Sequence, residues 1–166
     1  MKSYYDTFPT AFGPFSVAVD ETGAVTATAF GPVTALRRRL GTCHLIGDKN
    51  ACAAVREQVL GYCAGERRRF DLRLAPRGTP FQHQVWAALR AIPPGETRSY
   101  GQIAAQLGKP AASRAVGRAN ATNPICVIIP CHRVIGASGA LTGFAFGEEL
   151  KRQLLEHEGA RARRAA

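Results

Sequence analysis

Two boxes of the form Ser/Thr-x-x-Gln, Thr79-Pro80-Phe81-Gln82 and Ser99-Tyr100-Gly101-Gln102, constrain this chain more than any other feature. In each, the hydroxyl can accept from the backbone three residues on while the glutamine reaches back, so each box opens a helix. Pro80 suits the first helical position. Phe81, Val85, Trp86, Leu89 and Ile92 then form one apolar stripe, until Pro93-Pro94-Gly95 stops the helix. The second helix turns Ile103, Ala104 and Leu107 inward and ends at Gly108; Pro110 opens a third, Ala111 to about Ala121. Short helices joined by Leu107-Gly108-Lys109-Pro110 have the layout of a helix-turn-helix. The third helix, made of small residues plus Arg114 and Arg118, reads either as a helix offered to a duplex or as an Ala-rich packing helix.

Upstream the pattern changes. Phe15–Val19 and Val25–Phe30 alternate around the turn Asp20-Glu21-Thr22-Gly23, a hairpin signal. A helix is expected from about Asn50 to Cys63, with Cys52, Val55, Val59 and Tyr62 on one face and Gly65 ending it. Phe70–Leu74 reads as a short alternating strand. A small α/β domain over 1–77, a mainly helical domain over 78–160 and a basic tail over 161–166 follow, with the boundary at Pro76-Arg77-Gly78.

The composition is globular, 46% hydrophobic and 20% charged, with 22 Lys+Arg against 12 Asp+Glu. From Thr97 to Gly147 there is no carboxylate, while Arg98, Lys109, Arg114, Arg118 and Arg133 fall there. A basic stretch of that kind suits a polyanion; the runs Arg37–Arg39 and Arg67–Arg69 read as solvated faces. No apolar run is long enough to span a bilayer, and the first residues lack a signal peptide's apolar segment, so the expected address is the cytoplasm. The five cysteines are odd in number and match no zinc spacing, so neither disulfides nor a metal is expected.

After Asn123-Pro124, the apolar run Ile125–Ile129 delivers Pro130-Cys131-His132-Arg133-Val134. A cysteine between Pro and His, beside an imidazole and a guanidinium, is placed to be a thiolate nucleophile. The same dipeptide alone favours a buried structural cysteine beside a surface histidine.

The assembly as a whole resembles the O6-alkylguanine-DNA alkyltransferase family. The likeness lies in Phe81–Trp86, Gly95–Tyr100, Arg114–Gly117, Asn123-Pro124, Ile129–Gly136 and Leu154–Gly159, in family order and with family-like spacing across Phe81 to Gly159. The N-terminal half fits by length and by its hairpin-helix-strand character.

That resemblance implies an N-terminal α/β domain, a small antiparallel sheet plus helix of RNase H-like form, followed by a mainly α, winged helix-turn-helix domain. It implies DNA repair by direct reversal: a single, irreversible alkyl transfer from O6-alkylguanine in duplex DNA to Cys131, with O4-alkylthymine a candidate second substrate and no cofactor. His132 would be the base, through a water, Glu158 its orienting partner, Asn123 a brace for the active-site turn and Tyr100 a proton donor to departing guanine. Arg114 would fill the stack after base flipping, from a helix facing the minor groove, with Ala115, Gly117, Arg118 and Ser99 as further DNA contacts. Pro130, Val134, Phe144 and Ala145 would line the pocket; Phe144 stands where many members have Tyr, and Phe146 where Gly is usual. The protein is expected to be monomeric away from DNA. A Cys-His hydrolase finds no support beyond Cys131, His132 and Glu158. A DNA-binding protein without transfer activity is the alternative, although relatives that only mark damage lack the cysteine that this chain keeps.

Overall fold

The computed structural model describes residues 2–160 and divides into two units. One runs through Arg77 and includes Pro124–Cys126; the other holds Gly78–Asn123 and the residues from Val127 on. The domain expected over 78–160 therefore gives up Pro124–Cys126 to the first unit. There Pro124 O accepts from Thr28 N at 2.9 Å and Cys126 O accepts from Thr28 Oγ1 at 2.8 Å. The basic tail at 161–166 lies outside the described residues. Among the described residues no helix is long and apolar enough to cross a membrane.

The first unit is built on strands β1 (Lys2–Thr10), β2 (Gly13–Asp20), β3 (Val25–Phe30) and β4 (His44–Gly47), ordered β3-β2-β1-β4. The hairpin read around Asp20–Gly23 is β2–β3, with Asp20 Oδ1 accepting from Thr22 N at 2.8 Å. The sheet is mixed, not antiparallel as expected, because β4 pairs parallel to β1. Helix α1 (Val33–Leu40) lies between β3 and β4 in the chain, and a crossover helix returns the following strand in the same direction. Strand β1 escapes an apolar-alternation reading because two of its buried residues are Ser3 and Asp6. Ser3 Oγ lies 3.0 Å from Cys43 Sγ, and Asp6 lies 3.8 Å from Arg56. Helix α2 (Ala53–Cys63) starts later than expected but buries Val55, Val59 and Tyr62, with Cys52 buried just ahead of it. Phe70–Leu74 is not a strand: Gln58 brackets Asp71 by bonding both its N and its O, and only Leu74 forms a bridge, with Val25.

The second unit begins with α3 (Pro80–Arg90), whose Thr79/Gln82 capping box is formed on both sides. Val85, Trp86, Leu89 and Ile92 are buried as the stripe requires. The Trp86 indole donates to Ala119 O at 2.9 Å and fixes α3 against α5 (Ser113–Ala121). Helix α4 (Tyr100–Gln106) starts at the Ser99/Gln102 box, also formed on both sides. Residues 107–112 make the turn to α5, with Gly108 at φ 73°. Helix α5 starts two positions later than Ala111 because Ala112 N bonds Lys109 O in a tight turn first. A two-stranded parallel pair, β5 (Arg98–Ser99) with β6 (Val134–Ile135), sets the segment after Cys131 beside the start of α4. Helix α6 (Glu148–His157) closes the unit, its first turn bearing Glu148 and Glu149 where carboxylates favour the helix dipole.

Candidate active site

Cys131 opens a 3₁₀ turn, Cys131–Arg133, and is buried, with Pro130 and Val134 buried on either side. The approach to it is bent. Val127 adopts φ 71°, a region that β-branched residues rarely occupy and that costs on the order of 1–3 kcal/mol. The bend is over-determined from one side: Asn123, buried at the end of α5, donates its Nδ2 to Ile129 O at 2.8 Å. Asn120, one helical turn earlier on the same face, lies with Nδ2 3.4 Å from Cys131 O.

His132 is fully buried, and its Nε2 lies 2.9 Å from Glu158 Oε2, at the C-cap of α6. The same carboxylate takes Arg133 Nε at 2.8 Å and Arg133 Nη2 at 2.9 Å, while Arg133 Nη1 donates to Ile92 O at 2.7 Å. Burial pushes the Glu158 carboxyl up, but the bonds from His132 and Arg133 outweigh it and hold the group well below the usual carboxylate range. An ionised carboxylate only accepts, so His132 Nε2 carries the hydrogen and Nδ1 keeps the lone pair. Burial lowers the His132 pKa from 6.5 against the raising effect of Glu158, leaving a neutral imidazole. His132 Nδ1 is buried and without a hydrogen-bond partner.

Tyr100, first residue of α4, donates its hydroxyl to Thr142 O at 3.0 Å. Burial and the neighbouring Cys131 push its pKa up, against the bond to Thr142, so the phenol keeps its proton. Gly143 allows this approach: at φ 74° it has no side chain, and a Cβ there would stand 2.5 Å from the Tyr100 hydroxyl. Gly117 of α5 faces the same ring, its Cβ position 3.8 Å away. Lys151 of α6 is fully buried, and its Nζ donates to Val134 O and to Thr142 O, tying the segment after Cys131 to the loop against Tyr100. Burial brings Lys151 down to about 8, opposed by Cys131 and Glu148.

Of the other residues read from the sequence, Phe144 is buried and stacks edge-on to Phe146 at 5.6 Å, whereas Ala145 is exposed. Ser99 uses its Oγ to cap α4. Arg114 and Arg118 are exposed on α5, Ala115 and Gly117 are half-buried, and Val116, Ala119 and Asn120 are buried on its other face. The packing reading of this helix holds for its buried face, and Arg114 and Arg118 lie on the exposed one. Sequence reasoning missed Arg133 as partner to Glu158, and nothing in the sequence signals that role. It also missed Lys151 and Asn120, which helical spacing could have found: Lys151 is in register with Leu154, Leu155 and Glu158, and Asn120 with Val116 and Asn123. Among the described residues no group of His, Cys, Asp and Glu could hold a metal ion. A buried thiol, a neutral imidazole fixed by a carboxylate and a protonated phenol make a set able to generate a nucleophile and protonate a leaving group.

The family described as 6-O-methylguanine DNA methyltransferase, DNA binding domain, matches residues 80–160. A methylated-DNA–protein-cysteine methyltransferase of Methanosarcina acetivorans is 45% identical over 156 residues, 94% of this chain and 98% of that one. One of the same description from Mycobacterium bovis is 56% identical over 119 residues, 72% of each. The solved structure of Mycobacterium tuberculosis OGT in complex with DNA superposes with a TM-score of 0.84 at 45% identity, covering 94% of this chain and 92% of that one.

Proposed function

The chain belongs to the methylated-DNA–protein-cysteine methyltransferase family, and from that premise we propose that it repairs DNA by moving the alkyl group of O6-alkylguanine onto Cys131, once per molecule. The observation that carries this reading is the Glu158 carboxylate. It binds His132 Nε2 and the Arg133 guanidinium together, so the imidazole beside Cys131, kept neutral by its burial, is fixed with its free nitrogen at Nδ1.

In this reading His132 Nδ1 takes the Cys131 proton through a water, and Glu158 stabilises the imidazolium that forms. The thiolate attacks the alkyl carbon in line; the S–C bond forms as the C–O6 bond breaks. Tyr100 gives its proton to the departing guanine, and the thiol proton held at His132 is released to solvent as Tyr100 takes one back, so thiol and alkylguanine become thioether and guanine. Asn123 braces the turn. Pro130, Val134 and Phe144 line the pocket, and Ala145 offers its backbone N–H to the O6 oxygen, a task that its exposure leaves open to an incoming base. A thioether has no return path, so the protein acts in one turnover. O4-alkylthymine is a second candidate substrate.

We read the second unit as a winged helix-turn-helix, with α4 and α5 as the motif and β5–β6 as its small sheet, and the first unit as RNase H-like. Arg114, exposed on α5, fills the stack when the base is flipped out; Ala115 and Gly117 let the backbone approach the minor groove, Arg118 reaches a phosphate, and Ser99 is a further DNA contact. Off DNA the protein acts as a monomer, in the cytoplasm where its substrate lies. Cys131→Ser tests the assignment: it is expected to bind methylated duplex as the parent does and to transfer nothing. Residual transfer by Cys131→Ser would overturn it. Arg114→Ala should impair repair of duplex DNA more than reaction with the free modified base; equal loss on both contradicts the flipping role.

A further inference from the structure

Two polar atoms are buried and without partners: Nδ1 of His132, the residue after Cys131, and Oδ1 of Asn120, whose Nδ2 lies 3.4 Å from Cys131 O. Buried polar atoms in folded proteins are nearly always satisfied, by protein or by ordered water. The Asn120 amide is oriented by its neighbour, because only its Nδ2 can face Cys131 O, 3.4 Å away; the opposite amide orientation would set two acceptors against each other. Oδ1 therefore turns away from that carbonyl as a free acceptor in a site where Asn120 is 2% exposed. No described side chain donates to it.

We infer that Asn120 is a positioning residue for the transfer: its Oδ1 holds the water that carries the proton from Cys131 to His132 Nδ1. A water with its two hydrogens on Asn120 Oδ1 and His132 Nδ1, and a lone pair toward Cys131 S–H, satisfies both orphan atoms. When the thiol ionises, its proton passes to that water, and a water proton passes to Nδ1. The thiolate and imidazolium remain, with the water between them and Glu158 behind the imidazolium. Without the Asn120 acceptor the water is loosely held and the thiolate loses a donor. This rests on the repair reading, but it concerns the free protein and can be tested without DNA.

The test is the rate at which iodoacetamide modifies Cys131, read on its own peptide by mass spectrometry from pH 5 to 10. Only the thiolate reacts. Tyr100 from α4 and Lys151 from α6 act on Cys131, His132 and Arg133 follow it in the turn, and Glu158 at the C-cap of α6 binds both of these; all are unchanged in the variants. Asn120→Leu, close in volume but apolar, is expected to raise the midpoint of the profile by about one pH unit, a tenfold loss of thiolate below it. The Leu and parent rates should converge at high pH. Asn120→Ser, which keeps an acceptor and leaves room for water, is expected to hold the parental midpoint. A uniform loss at every pH in Asn120→Leu is the mark of a structural role and overturns the proposal, as does an unchanged profile. Should Asn120→Leu not fold, Asn120→Ser decides alone: an upward shift of a full unit refutes the relay, and an unshifted midpoint supports it. Methyl transfer from DNA, measured separately, reports the repair function, so a failure of one reading is not mistaken for a failure of the other.

Discussion

Glu158→Gln keeps the shape of the side chain and removes its charge. In the parent the carboxylate accepts from His132 Nε2 at 2.9 Å and from Arg133 at 2.8 and 2.9 Å, and Arg133 is 5% exposed. The amide still offers one acceptor oxygen but turns an NH₂ toward the guanidinium, leaving a buried cation unpaired. Breaking a buried pair in this way costs about 3–5 kcal/mol. At the lower end, about 3 kcal/mol, a chain of this length should melt about 6–12 °C lower. The chain's single tryptophan, Trp86, is buried in the second unit, so urea unfolding followed by its fluorescence reads the change where it occurs. The Glu158 pKa lies below its ordinary 4.5 in the folded state, so its contribution is fully present above pH 4.5 and fades as pH falls toward the folded value. The gap between parent and variant should narrow on acidification. Adding Arg133→Met should recover about 2 kcal/mol by removing the stranded cation. It should not restore methyl transfer, which is expected to fall about 100-fold without a carboxylate behind the imidazolium. A single variant within 1 kcal/mol of the parent, or a double variant no more stable than the single, would refute this reasoning.

Other substitutions probe the same unit. Lys151 titrates near 8 against an ordinary 10.5; between those values the unfolded chain holds a proton that the folded one has released, so this group makes stability rise with pH. The difference amounts to about 3 kcal/mol at ~1.4 kcal/mol per pH unit. Lys151→Met should lack that rise in urea midpoints compared from pH 8 to 10, and parallel slopes in the two proteins would contradict the buried cation. Gly143→Ala puts a Cβ 2.5 Å from the Tyr100 hydroxyl at φ 74°. It should lower stability by about 1–2 kcal/mol and slow transfer, since Tyr100 must move. A variant with parental melting and transfer would show that the loop yields freely.

How legible the molecule was depended on how each element is held. Helices α3 and α4 announce themselves because their caps are local: Thr79 with Gln82 and Ser99 with Gln102 form within four residues. Cys131, His132, Asn123 and Glu158 were readable because family motifs bring them into one order. What stayed hidden depends on distant partners. Strand β1 buries Ser3 and Asp6 only because Cys43 and Arg56 come to meet them. Phe70–Leu74 alternates like a strand, yet the Gln58 side chain claims the backbone a strand would use. Lys151 looks like a surface lysine among Arg152 and Gln153 until its helical register is counted, and its two carbonyl partners come from other segments. The left-handed turn at Val127 has no local signal, since glycine or asparagine would be the expected residue there.

The central claim is that Cys131, and no other thiol of the five, accepts the alkyl group. It is tested most directly by mass spectrometry of the intact protein and its peptides after mixing with duplex DNA that contains O6-methylguanine, with no added cofactor. One methyl group per molecule is expected, on the peptide carrying Cys131, with a yield that stops at one equivalent. Methyl on another cysteine, repeated turnover, or no transfer at all would contradict it.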